Sequence, residues 1–76
     1  MATKLLDTVV VITDLPSHGL KRGDVGAVVE VYSPESFEVE FVTASGETQA
    51  VLTLGAHQIR PVGPRDLLAV RQLDAA

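Results

Sequence analysis

The sequence predicts an all-β domain, a small five-stranded barrel, followed by a short C-terminal helix. Three observations predict it. Five short segments rich in Val, Ile, Thr and Phe lie between Thr8 and Val62. Gly, Pro and Ser clusters punctuate them at the spacing of a small sandwich or barrel. After Val62 the pattern changes to leucines at helical spacing in "GPRDLLAVRQLDAA".

The first segment, "DTVVVITDL", is compact and β-branched, and predicts a strand over Thr8–Thr13. "PSHGLKRGD" carries Pro16, Gly19 and Gly23 and reads as a long loop. "VGAVVEVYS" resumes as a strand and "PES" turns it. In "FEVEFV" the period of two is clear, with Phe37, Val39 and Phe41 on one face and Glu38 and Glu40 on the other. "ASGE" is a hairpin turn in which Gly46 can take a positive φ. "TQAVLTL" is the fourth strand, "GAHQ" one tight helical turn, and "IRPV" a last short strand that Pro61 places at an edge or strand end. One long loop, then tight turns, then a helical turn before the fifth strand is the loop order of an SH3-like barrel. The predicted division is a barrel over residues 5–62 and an extension over 63–76. In the extension, Pro64 suits a first helical position, and Leu67, Leu68, Val70 and Leu73 form an apolar stripe. So short a helix is marginal unless it packs on something.

Phase along each strand sets the expected core: Val9, Val11, Ala27, Val29, Val31, Phe37, Val39, Phe41, Leu52 and Leu54. Val28, Glu30 and Tyr32 then face outward, with Val10, Ile12, Val42 and Val51. Apolar residues recur on the outer side of several strands, which points to a cover: the C-terminal helix, a second copy, or another protein.

Totals narrow the function classes. The 76 residues carry ten acids against six bases, a net charge of −4 and no cysteine. An acidic balance disfavours nucleic acid as a partner. Without cysteine there is no disulfide, thiolate metal site or cysteine nucleophile. "MATKLLDTVVVITDL" has neither a cleavage signal nor the roughly 20 apolar residues of a membrane span. The expected location is the cytoplasm, with no membrane contact.

The segments "LLDTVVVITDLPSHGLKRGDVGAVVEVY", "FEVEFV" and "LTLGAHQIRPV" together resemble an uncharacterised bacterial family of small SH3-like proteins, a domain of unknown function. The likeness spans about Leu5–Val62. A weaker one reaches KOW-type modules and the barrel of nitrile hydratase β subunits. The resemblance implies an SH3-like fold, a bacterial source and a non-catalytic accessory or antitoxin-like partner, with no activity attached.

The residues give the same direction. Gly23 and Gly26 in "KRGDVGAVVEVY" lead into a strand, whereas a phosphate loop leads into a helix N-terminus and a following Lys-Ser/Thr. They read instead as a tight turn and a close approach between strands. His18 and His57 sit in different loops without metal-ligand spacing. Glu38 and Glu40, with Glu30 beside them, form an outer acidic patch that serves solubility or a basic partner, since acid–base chemistry needs a cleft. His18, Lys21 and Arg22 make the long loop locally basic, with Asp14 and Asp24 close by and no interleaved aromatics. The expectation is therefore a non-enzymatic protein-binding module, as a homo-oligomer or with a protein partner, without metal or cofactor. Its expected contact residues are Tyr32, Val28, Lys21, Arg22, Arg60, Leu67 and Leu68. The alternative is a KOW-type nucleic-acid-binding module using His18, Lys21, Arg22 and Arg60.

Overall fold

A computed structural model describes residues 3–74. The strands are β1 (Thr8–Val11), β2 (Val25–Ser33), β3 (Ser36–Val42), β4 (Thr48–Gly55) and β5 (Ile59–Pro61). Single 3-10 turns occur at Pro16–His18 and Ala56–Gln58. All strand pairs are antiparallel, in one sheet of order β4-β3-β2-β1-β5. The all-β expectation holds. A closed barrel does not: closure would pair the terminal strands, and β4 and β5 remain the two edges of an open sheet. No helix among the described residues is long and apolar enough to cross a membrane.

Each turn has a local cause. Ser33 Oγ accepts the Glu35 N–H (3.2 Å) at the Pro34–Glu35 reversal. Gly46, at φ 89°, lets the next hairpin close through Thr43 N–H to Glu47 O (2.9 Å). The turn before β5 is fixed by Gln58 Oε1, which accepts the Gly55 N–H (2.8 Å).

The core is one cluster of Val9, Val11, Leu20, Val28, Phe37, Val39, Phe41, Leu54 and Ile59, with Leu15, Ala50 and Leu52 packed against it. The expected phase fails in the first half of β2. Val28 is fully buried (0% exposed), opposite Val39, whereas Val29 and Val31 are exposed. The reason is a bulge. The register steps from Val28↔Val39 to Glu30↔Glu38, so Val29 is extra and the face inverts there. Beyond it Val31 lies opposite Phe37 but is itself exposed, so its expected core place fails too, and a second register shift follows before Ser33. Glu30 and Tyr32 are exposed as expected. Val28 is thus a core residue, and its expected place on a docking face is corrected.

Gly26 is the complementary device. A β-carbon there would lie 2.8 Å from Val39 Cγ1 and 2.9 Å from both Glu40 O and Phe41 Cε1. The missing side chain is what lets β2 come close to β3 at this point.

β1 stops at Val11, short of the expected Thr13, and its hydrogen bonding to both neighbours runs in register one step past the strand pairs. Val11 N–H donates to Asp24 O (2.9 Å) and Ile12 N–H to Gln58 O (2.9 Å). The long loop is itself organised: Leu15 and Leu20 exchange backbone hydrogen bonds (2.9 and 3.2 Å), which drops Leu20 into the core.

The expected C-terminal helix is absent among the described residues. A first turn begins, with Asp66 N–H donating to Gly63 O (3.1 Å), and goes no further. Of the stripe Leu67, Leu68, Val70 and Leu73 only Leu73 is half-buried, the other three being exposed, and a stretch this short does not hold a helix by itself. The segment has no regular secondary structure, with turns at 64–65 and 73–74.

Candidate docking surface

Two guanidinium–carboxylate pairs fix that C-terminal segment. Near its start, Arg60 on β5 donates from Nη1 to Asp66 Oδ2 and from Nη2 to Asp66 Oδ1, both at 2.8 Å. Asp66 Oδ2 also accepts the Gly63 N–H. The Arg60 guanidinium, then the Gly63 N–H, hold the Asp66 carboxyl far below the usual carboxylate range, and Asp66 in turn raises Arg60. Near its end, Arg71 donates from Nε to Asp24 Oδ1 (2.8 Å) and from Nη2 to Asp24 Oδ2 (2.7 Å). Arg71 Nη2 also reaches the Gly19 carbonyl (2.8 Å), so one side chain ties the tail to the long loop at two points. Arg71 lowers the Asp24 pKa against an opposing effect of burial, with help from the Lys21 N–H, which donates to Oδ2 at 2.8 Å. Bidentate pairs of this kind fix geometry as well as charge.

Between the two ties the chain presents apolar side chains to solvent. Leu67 is 92% exposed and Val70 100%, with Leu68 also exposed. Ala69–Leu73 form one side of a groove of about 710 Å³ whose other lining residues include Leu20, Arg22, Val25, Phe41 and Val42. The Asp24–Arg71 tie is part of that lining.

The outer face of β2, β3 and β4 is a second, polar surface. Glu38 accepts from Tyr32 Oη (3.1 Å) and from Thr53 Oγ1 (2.9 Å), and Glu40 accepts from Thr48 Oγ1 (2.7 Å). Glu30 lies opposite Glu38. The expected acidic patch is present, and hydroxyls on the flanking strands occupy two of its carboxylates. The bond to Glu38, followed by partial burial, raises the Tyr32 phenol above its ordinary value.

The expected contact residues therefore fall in three places. Lys21 and Arg22 are exposed in the long loop, and Arg22 lines the groove. Arg60, Leu67 and Leu68 lie along the tied segment. Tyr32 is exposed at the far end of β2, seven residues from Val25, or about 23 Å at 3.3 Å per residue. Val28 is in the core. His18 and His57 sit on separate 3-10 turns, and among the described residues no group of His, Asp or Glu could hold a metal ion. Sequence reasoning missed Asp24 and Arg71, which are 47 positions apart. No local pattern signals a pair so far apart in sequence.

No curated protein and no solved structure matches the chain. The chain belongs to the family described as a domain of unknown function (DUF4926), whose model matches residues 5–61, the sheet without the tied C-terminal segment.

Proposed function

We propose that this chain is a non-catalytic module that binds another protein through its C-terminal segment and the groove beside it. The observation that carries the reading is the exposure of Leu67, Leu68 and Val70 on a segment already held at both ends. Burying such side chains stabilises a complex by roughly 25 cal/mol per Å² of apolar surface. Their ordering is largely complete before a partner arrives, which lowers the entropic cost of association. Arg22, in the groove, supplies a directional donor for a partner carboxylate. Tyr32 belongs to a separate surface and is not part of this contact.

The finer fold reading is an SH3-like arrangement of the open five-stranded sheet, from a bacterium, in an accessory or antitoxin-like role. What supports the fold is the strand order, the long loop after β1 and the 3-10 turn before β5. The test uses the full chain as bait, beside a Leu67→Ser/Leu68→Ser double variant. The reading expects a protein retained by the first and lost by the second. A chain that retains no protein ends it.

One observation favours a nucleic-acid reading: Lys21 and Arg22 are in neither of the two ion pairs among the described residues. Two adjacent cations in one loop of a chain of net charge −4 make a small footprint. Binding of RNA or DNA at low salt that weakens steeply with added salt would support this second reading over the first.

A further inference from the structure

The two edges of the sheet are unlike. β5 has three residues, among them Pro61, which has no N–H to offer, and Arg60, whose Nη1 folds onto the Pro61 carbonyl (3.1 Å). Such an edge is guarded against pairing. β4 is eight residues long, "TQAVLTLG", with no charge and no proline. Its bulge is confined to its start, where Gln49 is the extra residue between the Phe41↔Ala50 and Val42↔Thr48 pairs. From Ala50 to Gly55 the edge is regular.

Ladder geometry assigns the free backbone groups. Ala56 N–H donates to Glu35 O (3.0 Å), one step past the Ser36↔Gly55 pair. In an antiparallel ladder, bonded and non-bonded pairs alternate. Ala50, Leu52 and Leu54 therefore bond to β3, and Val51, Thr53 and Gly55 direct N–H and C=O away from it. Gly55 confirms the phase, because its N–H is taken by Gln58 Oε1. Val51 and Thr53 keep theirs, and both residues are exposed.

We propose that this edge pairs antiparallel with the β4 edge of a second copy, Val51 and Thr53 of one chain exchanging backbone hydrogen bonds with Thr53 and Val51 of the other. Charge argues for self-pairing. In a symmetric pair each charge on the strand approaches its own like, and Thr48–Gly55 carries none. Glu38 and Glu40 stand one strand further in. Their counterparts would be three strand spacings away, about 14 Å, which exceeds the screening length at physiological salt. The register follows from the pleat. Facing residues must share a sheet face, so the two-fold axis passes beside Leu52 or Val51. The Leu52 register uses all four free groups of Val51 and Thr53, whereas the Val51 register sets Thr53 against the bulged Gln49. The result is a continuous ten-stranded sheet whose contact is independent of the C-terminal segment.

Sedimentation equilibrium of the full chain, over about a hundredfold range of concentration, tests it. The expected result is a monomer–dimer equilibrium. Val51→Lys places an ammonium opposite Glu40, which the fold tolerates, and brings it near its own copy across the axis. It is expected to weaken the dimer by at least about tenfold. Leu67→Ser/Leu68→Ser is expected to leave the dimer constant unchanged, which separates this contact from the one proposed above. Amide exchange on the unaltered chain gives a readout free of any substitution: the Val51 and Thr53 amides slow in the concentrated sample and exchange freely on dilution. A chain that stays monomeric throughout, a Val51→Lys dimer of unchanged affinity, or amide rates indifferent to concentration would each overturn the proposal.

Discussion

At Gly26 the space for a methyl group is already taken by Val39, Phe41 and the Glu40 carbonyl. A backbone oxygen cannot rotate aside, so Gly26→Ala must push β2 and β3 apart. The expected cost is about 1–3 kcal/mol in denaturant unfolding, with m unchanged. Asp24 gives a second residue-scale prediction. Arg71 lowers its folded pKa, so the contribution of this tie is fully present above the ordinary carboxyl value of 3.8 and is lost as pH falls through the lowered value. Carboxyl-carbon chemical shifts are expected to place the Asp24 midpoint below 3.8, and Arg71→Gln is expected to move it back up. An Asp24 midpoint indifferent to Arg71→Gln would mean that the tie does not persist in solution.

Among the elements, β2 makes the sharpest contrast. Val28 and Val29 are adjacent and chemically identical, yet one is fully buried and the other is exposed. Val28→Ala is expected to cost about 2 kcal/mol, from two lost methyls and the cavity they leave. Val29→Ala is expected to cost less than about 1 kcal/mol. Comparable losses at both positions would place the bulge elsewhere. The same strand shows what a sequence holds and what it hides. Strand identity was legible, since β-branched runs and Gly–Pro punctuation set the bounds of β2, β4 and the 3-10 turn before β5 nearly to the residue. The phase of β2 was not, because "GAVVEV" has no break in its pattern where Val29 is inserted. The C-terminal stripe was equally misleading. Helical spacing describes what a segment could bury, and here Leu67, Leu68 and Val70 are not buried. The contact residues divide in the same way. Lys21 and Arg22 were legible as groups of a solvated loop and Leu67 and Leu68 as an apolar pair, while the Asp24–Arg71 tie depends on where a distant segment comes to rest.

For the whole molecule, the order of attachment matters. Every residue of the core cluster lies at or before Ile59. A chain ending at Val62 is therefore expected to fold, with a melting temperature within about 5 °C of the full chain. A collapse of the truncated chain would show that the tied segment belongs to the folding unit. The aromatic residues add a practical consequence. Phe37 and Phe41 occupy the centre, there is no tryptophan, and the single tyrosine lies outside on the β2–β3 hairpin, bonded to Glu38. Intrinsic fluorescence is thus blind to the interior of this protein. Its emission follows fraying of one hairpin, and soluble quenchers will reach the fluorophore while the fold is still intact.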